Sequence, residues 1–177
     1  MMNTLRFTMT LAVLLLTASL LPAAAVAGDG PWFDLEKCDM CKHMSGEKGL
    51  MEHMEWENHL TKDGMMSVTV VAHGYEEAFG RAMANMEAAG GKMMAGEKMY
   101  LCGFCQSYGS LMMAGANFEN FESAAGHINL VSSRDPAVIA KIHTHGQRTI
   151  DEYNKMVAVQ GEGHEKGHGK GHDKHDH

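Results

Sequence analysis

Most of the familiar marks of a catalytic centre are missing from this chain. It has no GxSxG elbow, no HExxH pair, no glycine-rich phosphate loop and no EF-hand pattern. Serine-hydrolase, zinc-peptidase, nucleotide and calcium-loop chemistries are set aside on that ground. Covalent haem needs CxxCH, but Lys42 follows Cys41, Gln106 follows Cys105, and His43 lies one residue too far along. Positive charge is in deficit, with 15 Lys and Arg against 22 Asp and Glu and a net charge of −7. Such a chain is not steered to nucleic acid or to an anionic membrane surface. Acidic neighbours such as Glu76-Glu77 and Asp151-Glu152 fall on expected helix surfaces, and no general acid or base has an evident partner. The balance leans away from an enzyme.

Long apolar runs are also scarce. The one example opens the chain, where Arg6 precedes FTMTLAVLLLTASLL over positions 7–21. Pro22 breaks it, and Ala25-Val26-Ala27 supplies a small-residue cleavage site before Gly28. Residues 1–27 therefore read as a cleavable signal peptide, and the run is short for a membrane span. No cysteine follows it closely, which argues against a lipoprotein anchor. Export would place the chain in a periplasm or outside the cell, with no membrane attachment after cleavage. About 150 residues remain, enough for one domain with one core.

What is present in excess is metal-ligand chemistry. There are 12 histidines, 17 methionines and four cysteines. Methionine fills irregular cores and is also a soft metal ligand, and the core role is the commoner one. The cysteines form two CxxC pairs, Cys38-Asp39-Met40-Cys41 and Cys102-Gly103-Phe104-Cys105. Four thiolates in two such pairs complete a tetrahedral shell for one ion, most naturally zinc, with cadmium, iron or copper also able to use it. An oxidising compartment equally favours disulfides, with three possible connectivities. A thiol-disulfide oxidoreductase is the third reading, because a CxxC opening a helix can carry an acidic thiol. His43 could stand near the first pair as an outer or alternate ligand.

From Gly161 onward the chain reads GEGHEKGHGKGHDKHDH, without an apolar residue. Residues 161–177 are expected to be a disordered tail in which His164, His168, His172, His175 and His177 capture a transition metal such as copper, nickel or zinc. His73, His127, His143 and His145 are not expected to be ligands.

Residues 28–160 are expected to form a single α+β domain containing a weak internal duplication, with half-repeats at about 32–91 and 98–158. The second CxxC follows the first by 64 positions, and Trp56-Glu57-Asn58 is echoed by Phe118-Glu119-Asn120. In each half a CxxC opens a helical stretch, Lys42 to Met51 or Gln106 to Ala114. A hairpin follows. Residues 53–60 alternate with a period of two, Asp63-Gly64 favours a tight turn, and a valine-rich strand returns over Met65 to Ala72. Asn117–Glu122 and His127–Ser132 form the second hairpin. A longer helix closes each half. The first carries a stripe through Tyr75, Phe79, Ala82, Met83 and Met86 and is expected to end at Gly90-Gly91. The second has Asp135 as cap and Pro136 at its first position, with Gly146 as a weak point. The expected fold is a four-stranded antiparallel sheet with helices packed on one face.

Overall fold

Two β-hairpins join edge to edge through their second strands. The structure, a computed structural model, describes residues 30–123 and 126–164. The expected signal peptide lies outside the described residues. Strands β1 (Met54–Thr61), β2 (Gly64–Val71), β3 (Asn117–Ser123) and β4 (Gly126–Ser132) form one antiparallel sheet in the order β1-β2-β4-β3. Helices α1 (Lys42–Ser45), α2 (Glu76–Met94), α3 (Gly103–Met113) and α4 (Pro136–His164) complete the fold, with a short 3-10 turn at Met51–His53. The α+β sheet expected from the sequence is the one observed. The order helix, hairpin, helix recurs in both halves.

The helical layer lies on one side of the sheet. Met65 of β2 and Val131 of β4 meet Leu111 of α3 and Val138 and Ile142 of α4 in one buried cluster. Leu50, Val71 and Ala82 form a second cluster where α2 meets the end of β2. Met44 and Phe79 pack against it, so Met44 serves as core filling. Gly146 is not simply a weak point. A Cβ there would lie 2.6 Å from Leu60 Cδ2, so its absence lets α4 approach the first hairpin closely.

Helix ends differ from expectation in four places. α1 stops at Ser45 rather than continuing to Met51: Gly46 still makes the helical bond back to Lys42 O, and the chain then turns away through Gly49 at φ +77°. α2 runs straight through Gly90-Gly91. Its stop is Gly96, which supplies the left-handed conformation (φ +88°) that either earlier glycine would also have tolerated. α3 starts at Gly103, inside the second CxxC, rather than at Gln106. At α4 the expected cap holds, with Asp135 Oδ1 accepting the Ala137 N–H at 2.8 Å. Its backbone continues to His164, into the segment read as tail.

Candidate metal centre

The two CxxC loops, distant in sequence, fold onto each other. The first lies in the turn that leads into α1, and Cys41 is that helix's N-cap. The second straddles the start of α3, with Cys102 as N-cap and Cys105 in the first turn. Sγ–Sγ separations are 3.6 Å for Cys38–Cys105, 3.6 Å for Cys41–Cys102 and 3.4 Å for Cys41–Cys105. All four sulfurs lie within 4.8 Å of one another. Cys38, Cys41 and Cys102 are buried, and Cys105 is partly so.

These distances separate the thiol readings. A disulfide requires about 2.04 Å between sulfurs. All four cysteines are free, so no disulfide is formed among them. A tetrahedral ion with metal–sulfur bonds of about 2.3 Å places its sulfurs about 3.8 Å apart. The three short separations fall just inside that edge, so the donor set fits one four-coordinate soft or borderline ion such as zinc.

The loops are positioned by different means. Asp39 in the first loop and Tyr100 ahead of the second bind each other reciprocally. The Asp39 N–H donates to Tyr100 O at 2.9 Å, and the Tyr100 N–H donates to Asp39 Oδ2 at 2.8 Å. The Tyr100 hydroxyl donates to Asp34 Oδ2 at 3.1 Å. The Asp34 carboxylate also accepts the Lys37 N–H at 2.8 Å, which holds it below the usual carboxylate range. Lys42 pairs with Asp39 and lowers that carboxyl too. The second loop is fixed from below. Its Gly103 and Phe104 N–H groups donate to Pro31 O (3.1 Å) and Trp32 O (2.9 Å). A Cβ on Gly103 would meet Trp32 Cε3 at 3.1 Å.

The four thiols share hydrogen bonds unequally. Cys38 is driven strongly toward thiolate by its neighbours, Cys102 first, and Cys102 is lowered to about 6, chiefly by Cys105. Cys41 and Cys105 are pushed up, each chiefly by Cys102.

Below the second loop lies an aromatic box that sequence reasoning missed. Phe104, from within the CxxC, packs against His145 of α4 at 5.2 Å between ring centroids, and Trp32 lies 5.5 Å from the same imidazole. His145 is 2 % exposed. Its Nδ1 meets Ser107 Oγ at 2.9 Å, and burial lowers its pKa to about 4. Arg148 caps Trp32 from 4.3 Å above the ring. The burial of His145 gives no sequence signal, because two histidines two apart on a helix do not reveal which one faces inward. Its partner His143 instead reaches Thr61 O at 2.9 Å.

Of the residues named as metal ligands, the four cysteines come together and His43 does not join them. His164 ends α4, and nothing is described of its side chain. His168, His172, His175 and His177 lie outside the described residues. No described helix is long and apolar enough to cross a membrane. Comparison with family models, with curated proteins and with solved structures gives no match.

Proposed function

We propose that this chain is an exported metal-binding protein whose four cysteines hold one zinc ion and whose histidine-rich tail captures transition metal for buffering or delivery. Residues 1–27 act as the cleavable export signal, and the tail over 161–177 takes copper or nickel as well as zinc. The observation that carries this reading is the convergence of four sulfurs within 4.8 Å from loops 64 residues apart. Chain folding alone gives no reason to bury four free thiols in mutual contact, whereas a tetrahedral ion does. The repeated helix–hairpin–helix order supports an internal duplication that produced the paired loops.

The oxidoreductase reading draws on Cys102, which stands at the N-cap position of α3 and whose thiol is lowered to about 6. Accessibility opposes it. Cys102 is 1 % exposed and Cys38 and Cys41 are buried as well. A redox nucleophile needs an accessible sulfur.

Elemental analysis of the exported protein, with and without residues 161–177, tests the proposal. One tightly held ion per chain in both forms, with further weak sites only when the tail is present, is the expected result. Absence of bound metal from both forms would sink it.

A further inference from the structure

The sheet face turned away from the helices carries the wrong polarity for a surface left to water. Strand register places four residues in each row across β1, β2, β4 and β3. One outward row is Glu57–Val68–Ile128–Phe121, and the next is His59–Met66–Leu130–Glu119. Val70, Ile128 and Phe121 are 47 %, 38 % and 54 % exposed. The inward face has the complementary anomaly. Its middle row is Asn58–Ser67–Asn129–Asn120, joined by Ser67 Oγ to Asn58 Oδ1 (2.6 Å) and Asn129 Nδ2 to Asn120 Oδ1 (2.7 Å). A sheet with one solvated face normally shows the reverse.

We propose that two copies of this chain pack these apolar faces together around a twofold axis parallel to the strands. That operation lays β1 of one copy across β3 of the other while keeping rows level. His59 of each copy then faces Glu119 of the second, and both residues are exposed in the single chain. The alternative axis, across the strands at the Glu57 row, sets β1 against β1 and brings Glu57 onto its own copy. The first arrangement pairs His59 with Glu119 at both rims and sets no like charges against each other. The sheet-on-sheet angle of about 30° shifts edge residues by only a few ångströms, within reach of a glutamate side chain. Four strands about 4.8 Å apart and seven residues of about 3.4 Å each give a footprint of about 450 Å² per copy. The buried total, on the order of 1,000 Å², is small for a specific interface and suits a weak, reversible dimer.

Sedimentation velocity of the full metal-loaded protein, at concentrations rising into the high micromolar range, tests this. A monomer–dimer equilibrium is expected. Val68→Asp places a charge at the centre twice over and should abolish the dimer, while unchanged metal content reports an intact fold. Glu119→Lys, at the rim, should weaken dimerisation roughly fivefold, since the lost pair occurs twice. Combining it with His59→Glu should restore most of that loss by reversing the pair. Strict monomer at every concentration overturns the proposal. So does a dimer indifferent to both Val68→Asp and Glu119→Lys. Binding of a basic amphipathic peptide to this face of a persistent monomer would assign it to a different partner and equally overturn it.

Discussion

The two CxxC loops share a motif and a site, yet they are held in place by different physics. The first is pinned at the surface by carboxylates, with Asp34 and Asp39 gathering backbone N–H groups and the Tyr100 hydroxyl. It opens a helix of only four residues. The second is the start of an eleven-residue helix and rests on buried rings, Trp32, Phe104 and His145. One loop is set by polar contacts that water can compete for, the other by packing that water cannot enter. Identical ligand spacing therefore says little about how rigidly each half of a shell is presented.

Removing one sulfur from each loop should have the largest effect. If one ion uses all four, Cys38→Ser and Cys102→Ser should each weaken metal binding by roughly a hundredfold or more, measured by competition with a chelator. A large effect in one loop and none in the other would mean the loops do not share an ion. Acid should next separate the supports. His145 is neutral in the folded protein, with its pKa lowered to about 4 from an ordinary 6.5. The unfolded chain takes up the proton first. Stability present above about pH 6.5 is thus lost progressively as pH falls toward 4, by roughly 3 kcal/mol. Denaturant melts of the apoprotein should show that loss, and His145→Leu should remove this part of the pH dependence.

Smaller effects sharpen the contrast further. Gly103→Ala forces a methyl against Trp32 and should cost about 1–3 kcal/mol in a thermal or denaturant melt. Asp39→Ala, in the polar loop, should leave the fold almost unchanged and weaken metal binding by roughly tenfold, read by the same chelator competition. If Asp39→Ala unfolds the protein and Gly103→Ala does not, the assignment of polar and packed supports is reversed.

Much of this architecture was legible in the sequence because it depends on local signals. The alternation over 53–60, the Asp63-Gly64 turn and the Asp135-Pro136 start each fix an element without tertiary help. The four cysteines were legible because their chemistry permits few roles. Helix ends were less so, since Gly90-Gly91 and Gly96 carry the same local information and only packing decides which one stops α2. The aromatic box was hidden because its rings come from the segment before α1, from α3 and from α4. The apolar outer face was hidden as well. β2 alternates Met66, Val68 and Val70 with Ser67 and Thr69, so its period assigns the more apolar side to the core, whereas the helices cover the side of Met65, Ser67 and Val71.

Whether the four sulfurs form one tetrahedral site is read by cobalt substitution. Cobalt(II) added to the reduced apoprotein should bind at one ion per chain, with the intense thiolate charge-transfer and visible bands of a tetrahedral four-sulfur shell. Binding of two ions per chain, or a weak spectrum of higher coordination without thiolate bands, would contradict it.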